Sequence, residues 1–312
     1  MLDRIQPSVR ARLEDLRGEF ASAQPFRHVV IDDFLDPGFC RRLMDEFPAF
    51  DARHAINEHG EVGRKAVVPA ITRLGGAYAE FDRLMRSRLF LDWLAGVVSI
   101  PRLVYDPEYV GGGTHENLDG QDLDAHVDFN FHPTRPLHRR LNLIVFLNSE
   151  WEEDWGGCLE LQRDPWHPEA AGPARRILPL ANRCVVFETT ESSWHGFRRI
   201  HLPAGRASGS RRSIAVYFYT RERAAGETAP SHGTIYVPPP VDARLQTGYT
   251  LQAEDCENLE RQLARRDRQI QYLYQRELQF SRTLAGIYRS PSFRLGRALT
   301  WPLRLLRNRR QR

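Results

Sequence analysis

Lysine is nearly absent from this chain: Lys65 is its only one, and arginine supplies the rest of the 44 basic side chains. We read that bias as the mark of a GC-rich, bacterial genome rather than of a function. Cysteine is scarce as well. Cys40, Cys158, Cys184 and Cys256 are scattered with no C-x-x-C among them, which argues against a zinc knot or a disulfide framework and fits a reducing compartment. No apolar stretch approaches the roughly 18 residues needed to cross a bilayer. No apolar h-region precedes Pro25 either, so a secretory leader is not expected. The formal net charge is only +4 and no nucleic-acid module is recognisable, so nucleic acid is excluded as a partner. Gly111-Gly112-Gly113 lacks the following Lys-Ser/Thr and the helix start of a phosphate loop, and reads as a mobile rim. What remains is a cytoplasmic protein of 312 residues, 41% hydrophobic, able to bury one large core with a minor appendage.

The chemistry-bearing residues are His126-Val127-Asp128, then His195, then Arg211-Arg212-Ser213. In an extended segment residues i and i+2 share one side, so His126 and Asp128 can grip one metal while Val127 faces away. A third ligand must come from a distant strand laid alongside, and His195 lies 67 positions beyond Asp128. Two imidazoles and one carboxylate suit a mononuclear iron(II) site with one face left open. H-x-D alone is a weak signal, because His and Asp often meet in turns. Its setting carries the weight. Leu141–Asn148 and Arg183–Glu188 read as buried strands, Leu123–Phe129 and Ser213–Tyr219 as further ones, and Trp155-Gly156-Gly157 as a turn into the alternating Leu159-Glu160-Leu161. Short strands at this spacing describe an all-β barrel or sandwich. His132 and His138, in a Pro-rich loop, read as polar surface. His115 is a candidate for substrate contact. Trp151 and Trp155 read as packed indoles flanking a solvated acidic turn.

These motifs resemble the Fe(II)/2-oxoglutarate oxygenases, in particular their prolyl-4-hydroxylase-like branch, in order along most of residues 25–240. Pro25–Leu35 resembles the family's first strand, and Glu46-Phe47-Pro48, Tyr105-Asp106-Pro107, the H-x-D, the R-L-N…F-L-N strand, W…G-G…L-E-L, Trp194-His195-Gly196 and R-x-S follow. The resemblance implies a double-stranded β-helix (jelly-roll) core, mainly β with flanking helices (α+β). It implies iron(II), 2-oxoglutarate and O2 as cofactors, with ascorbate as an accessory reductant. The implied reaction hydroxylates an unactivated C–H bond, with succinate and CO2 as co-products. On this reading His126, Asp128 and His195 bind the metal and Arg211 anchors the distal carboxylate of 2-oxoglutarate, where a guanidinium matches a carboxylate bidentately. Ser213 shares that strand face, and Arg212 points away as a solvated charge. Related halogenases lack the carboxylate at the position of Asp128, so its presence points to hydroxylation. His201 also precedes Arg211 at a spacing common in prolyl hydroxylases. The Trp-His-Gly context favours His195 and leaves His201 exposed in an inserted loop, 198–210. Where several relatives carry a 2-oxoglutarate-binding tyrosine this chain has Phe146, with Asn142 as the polar substitute on the same face.

Organisation follows from pattern. Residues 1–100 supply the first strand and supporting helices, with helical stretches at 1–24, 36–50 and 76–100, and residues 101–240 the catalytic core, ending near Pro238-Pro239-Pro240. Residues 251–287 form a coiled-coil helix: eight of ten a and d positions are apolar, and self-association through 256–287 is expected. Residues 288–312 hold eight arginines and no acidic residue, interleaved with Phe293, Leu295, Leu299, Trp301, Leu303, Leu305 and Leu306. Such a tail suits peripheral contact with an anionic inner membrane, and it resembles tails of bacterial cell-surface glycan enzymes. The substrate is then a peptidyl, prolyl-like residue or a sugar. A catalytically silent β-helix binding module on a coiled-coil scaffold is the rival reading.

Overall fold

The apolar run of Leu143–Leu147 is continuous because both faces of its strand are covered. In the computed structural model, which describes residues 2–55, 65–206, 209–242 and 244–309 (backbone only over 301–309), that strand lies at the centre of the larger of two sheets. Elements run α1 (Pro7–Ala11), α2 (Leu13–Ser22), β1 (His28–Ile31), α3 (Pro37–Asp45), β2 (Lys65–Val68), α4 (Gly76–Met85) and α5 (Arg88–Val98). Then come β3 (Val104–Tyr105), β4 (Gly113–Leu118), β5 (Leu123–Val127), β6 (His138–Phe146), β7 (Leu159–Gln162) and α6 (Pro168–Ala171). The series closes with β8 (Arg175–Ile177), β9 (Cys184–Glu188), β10 (Trp194–Phe197), β11 (Ser210–Thr220), β12 (Ile235–Val237), α7 (Ala253–Arg289) and α8 (Pro291–Arg309). The chain divides into two units, up to Pro239 and from Pro240 on.

In the first unit the larger sheet has the order β1-β9-β6-β11-β4-β2, with β3 also paired to β11, and the smaller β12-β5-β10-β7-β8. Neighbouring strands in both sheets pair antiparallel. The two sheets enclose an inner core: Phe146, Val185 and Phe187 of the larger pack with Leu159, Leu161 and Ile177 of the smaller. This is the jelly-roll sandwich expected from the strand pattern. The outer face of the larger sheet, through Leu141, Leu143, Val145, Ile214, Val216 and Phe218, packs with apolar residues of α2, α4 and α5.

Local chemistry sets the helix ends. Asp36 caps α3 by accepting from Phe39 N at 2.9 Å, with Pro37 in the first turn. Glu46 of the E-F-P stretch accepts from Ala77 N at 2.8 Å, at the start of α4. The helical stretch expected over 76–100 is two helices, broken where Ser87 caps α5. Gly111-Gly112-Gly113 is not a mobile rim. Gly112 and Gly113 are buried, Gly113 opens β4, and a Cβ on it would come within 2.2 Å of the Val68 carbonyl at a φ of +104°. In the second unit α7 begins with a reciprocal cap between Gln252 and Asp255 and ends at Ser290, whose extended backbone precedes Pro291.

Candidate active site

Cross-strand register brings the three expected metal ligands together. His126 on β5 is the Cα partner of His195 on β10, so the two imidazoles leave adjacent strands side by side, with ring centroids 4.2 Å apart. Asp128 follows β5 immediately. Its Oδ1 is 3.9 Å from His126 Nε2 and its Oδ2 is 3.5 Å from His195 Nε2. One ligand atom from each of the three lies within 4.8 Å of those of the others.

Both imidazoles are set in one tautomer by the same local device. His126 Nδ1 donates to the Asp124 carbonyl and His195 Nδ1 to the Ser193 carbonyl, each at 2.9 Å and each two residues upstream. Nε2 is then left as a bare lone pair on each ring, the form that ligates a metal. Burial lowers both pKa values, that of His126 to about 3 with His195 as the next cause, so both rings are neutral.

Asp128 is held by Asn142 and by Arg139, the second of which sequence reasoning passed over. Arg139, 1% exposed, reaches its Oδ2 at 3.1 Å. The guanidinium also donates to Asn142 Oδ1 at 2.7 and 3.1 Å, and Asn142 Nδ2 donates to Asp128 Oδ2 at 2.8 Å. Phe129 and Tyr217 cover it, with ring centroids 4.4 and 3.5 Å from Cζ. Burial alone would raise the Asp128 pKa; Arg139, then the two imidazoles and Asn142, outweigh it and hold the carboxyl well below the usual range. Strict alternation along β6 would put Arg140 rather than Arg139 beside Asn142. A register shift between Phe218 and Tyr219 of β11, opposite Leu141 and Arg139, turns Arg139 inward instead. Asn142 lines the cavity as expected, but its side-chain hydrogen bonds go to Asp128 and Arg139.

The three ligand residues line a cavity of about 220 Å³ with Arg211 and Ser213 of β11. Arg211 is 5% exposed, and among the described residues no carboxylate lies within ion-pair distance of it. Its Nε donates to the Gly157 carbonyl at 2.6 Å. Phe146 and Phe197 lie under its Cζ at 5.0 and 4.5 Å. Gly157 has a φ of +66°, and a Cβ there would come 2.9 Å from Trp151 and 3.3 Å from Arg211, so the W…G-G element shapes the Arg211 berth. Burial lowers the Arg211 pKa to about 10, which leaves it charged at neutrality. Arg212 points the other way, as expected, but it is paired with Glu116 at 3.2 Å and stacked on Phe47 rather than simply solvated.

Other expectations sort cleanly. His201 is exposed and outside this cavity. Trp151 and Trp155 are buried edge to face. His115 is on β4, not in a loop; it lines the cavity, and its Nε2 lies 3.2 Å from the Gly111 carbonyl, which also accepts from Tyr217. Tyr236 of β12, also unforeseen, stacks on His126 at 5.2 Å. His132 is buried rather than polar surface. It groups with Asp106 and Glu108, but its Nδ1 accepts from Thr134 N at 3.2 Å, so Nε2 carries the proton and faces Asp106 at 3.5 Å. That is a histidine–aspartate contact, not a cation site.

Residues 113–219 match the family model of the 2OG-Fe(II) oxygenase superfamily, the family that the sequence motifs resemble. Similar solved structures include prolyl 4-hydroxylases. That of Phytophthora capsici is 19% identical, with 82% of this chain and 71% of that one covered and a TM-score of 0.44. A Pseudomonas putida prolyl-4-hydroxylase is 18% identical over 69% of this chain and 100% of that one, with a TM-score of 0.44. HygX from Streptomyces hygroscopicus, solved with nickel and 2-oxoglutarate bound, is 14% identical over 67% and 91%, again at 0.44. No curated protein matches the chain.

Proposed function

We propose that the protein is an Fe(II)- and 2-oxoglutarate-dependent dioxygenase that hydroxylates an unactivated C–H bond of a peptidyl (prolyl-like) or sugar, cell-surface-glycan substrate. The observation that carries this reading is one cavity holding His126, Asp128 and His195 beside a buried guanidinium, Arg211, with no carboxylate among the described residues at ion-pair distance from it. The donor set fits iron(II): two neutral imidazoles of fixed tautomer and one ionised carboxylate. When bound, iron(II) with 2-oxoglutarate and O2 supplies oxidation of the C–H bond, with succinate and CO2 as co-products. The chain's own contribution is placement. His126 and His195 present Nε2, Arg139 and Asn142 orient the Asp128 carboxylate, and Arg211 and Ser213 hold the distal carboxylate of 2-oxoglutarate. Phe146 and Phe197 keep water from the guanidinium, which strengthens that contact. Asn142 keeps an amide hydrogen for the co-substrate in place of a tyrosine.

Anaerobic addition of Fe(II) and 2-oxoglutarate should give a weak visible charge-transfer band. A succinate-release screen of prolyl peptides against sugar nucleotides should then identify the substrate class. No band and no succinate with any substrate would leave the binding-module reading. The basic tail supports peripheral membrane contact: in α8 the exposed Leu295 and Leu299 alternate with Arg294 and Arg297. Side chains from Trp301 on, and residues 310–312 entirely, lie outside the described residues. No helix among the described residues is long and apolar enough to cross a membrane. Anionic vesicles should sediment the full chain and release a form lacking 288–312; equal binding by both would remove the tail from the account.

A further inference from the structure

The seam along α7 carries an inference independent of the oxygenase reading. α7 runs unbroken from Ala253 to Arg289. One heptad register places Cys256, Leu259, Leu263, Arg266, Ile270, Leu273, Glu277, Phe280, Leu284 and Ile287 at its a and d positions. Apart from the half-buried Leu259, its apolar members stand open to solvent: Leu263 is 61% exposed, Leu273 52% and Phe280 58%. Helices in proteins draw most of their stability from covering such a face, and a seam of this period is what another helix covers in a coiled coil.

We infer that a second copy of this chain covers the seam, and that the two α7 helices run antiparallel about a two-fold axis passing between Ile270 and Leu273. The two charged seam positions decide the direction. In a parallel, in-register pair each seam residue meets its own copy, so Arg266 would face the partner's Arg266 and Glu277 the partner's Glu277. Both like-charge contacts would sit where water is excluded, and both oppose association. Antiparallel helices bring a positions against d positions. With the axis placed as stated, Cys256 meets the partner's Ile287, Leu259 the partner's Leu284, and Leu263 the partner's Phe280. Arg266 then meets the partner's Glu277, and Ile270 the partner's Leu273. Every other seam residue finds an apolar or thiol neighbour, and symmetry forms the Arg–Glu pair twice. Within one helix Arg266 and Glu277 are 11 positions apart, about 16 Å along the axis. They are too far apart to pair with each other within one helix. Fixing register and orientation is the best-attested use of a polar residue at a coiled-coil seam.

The protein carries its own probe of this arrangement, because Cys256 is exposed while Cys40, Cys158 and Cys184 are buried. Sedimentation equilibrium of the full chain should give twice the chain mass. Under mild oxidation the unsubstituted chain should stay uncross-linked, whereas Ile287→Cys should cross-link as dimers that Cys256→Ser abolishes. Arg266→Glu or Glu277→Arg alone should raise the dimer dissociation constant about tenfold or more, and the double exchange should restore it to within about threefold. Any one of three results overturns the inference: a single-chain mass, cross-linking of the unsubstituted chain through Cys256, or a double exchange no tighter than its parents. The iron–co-substrate band in the same variants shows that the first unit remains folded.

Discussion

Replacing Arg211 by methionine separates what the buried charge costs the fold from what it gives the site. Burial lowers the Arg211 pKa from 12.5 to about 10. That fall corresponds to roughly 3 kcal/mol by which the folded protein disfavours the charged form, and the cost applies in full below about pH 10. Methionine removes it along with two favourable contacts. The Nε hydrogen bond to Gly157 contributes about 1–2 kcal/mol net, and stacking on Phe146 and Phe197 about 0.5–1 kcal/mol. The terms nearly cancel. Metal-free Arg211→Met should therefore match the parent or exceed it by about 1 kcal/mol in urea unfolding, although a well-packed buried residue has been truncated. Affinity for 2-oxoglutarate should fall about 100- to 1,000-fold, because a desolvated, bidentate charge pair is lost. Binding is read on Co(II)-loaded protein from the rise in unfolding temperature with co-substrate concentration. A variant destabilised by more than about 2 kcal/mol, yet still stabilised by 2-oxoglutarate, would refute the assignment of Arg211 as an anion anchor.

Three further outcomes follow from the geometry. Asp128→Ala should abolish substrate-stimulated succinate formation, and turnover retained by that variant counts against the ligand set. Arg139→Met should destabilise the metal-free protein by about 3 kcal/mol, since it leaves a largely buried carboxylate with Asn142 as its remaining hydrogen-bond donor; a change under 1 kcal/mol in urea unfolding would show that Arg139 is not needed there. The metal-free protein should also lose stability as pH falls below 6.5. The unfolded chain takes up a proton near that value, which folded His126 accepts only near 3. Between pH 6.5 and 5 the loss is about 2 kcal/mol for His126, and His195 acts in the same direction. His126→Gln should flatten this slope, and an unchanged slope would place the titration elsewhere.

The clustering of His126, Asp128 and His195 was legible because it rests on short-range geometry. The i, i+2 rule put His126 and Asp128 on one side of β5, and the apolar runs before Trp194 and around Leu143 marked strands that could bring His195 alongside. The supporting residues were not legible, because each depends on a break in regularity or on long-range pairing. Arg139 turns inward only through the register shift between β6 and β11. Tyr236 reaches His126 only because β12 joins β5 at the sheet edge. His115 was marked as a candidate for substrate contact, but its strand was hidden by the glycine run, which suggested a mobile rim where close packing against Val68 makes a strand. Burial of His132 rests on a loop histidine meeting Asp106 from an earlier turn, which no local pattern announces. The long α7 was plain from its heptads, and the same heptads carried the expectation of self-association; the pairing direction inferred above rests on where Arg266 and Glu277 fall in them.

The charges around the cavity imply a dependence between its two ligands. Asp128 shares its negative charge with Arg139, and both imidazoles are neutral. The donor set therefore offers a divalent cation little net negative charge, unlike a cage of several carboxylates. Arg211 adds a positive charge to the same cavity. On the function proposed above, a dicarboxylate would bring the missing negative charge and meet Arg211 at its far end, so that each ligand would lower the electrostatic cost of the other. Coupling of this kind is reciprocal: 2-oxoglutarate must raise metal affinity by the factor by which the metal raises its own. Arg139 thus gives up some raw metal affinity in exchange for a fixed carboxylate, and leaves tight binding conditional on the co-substrate.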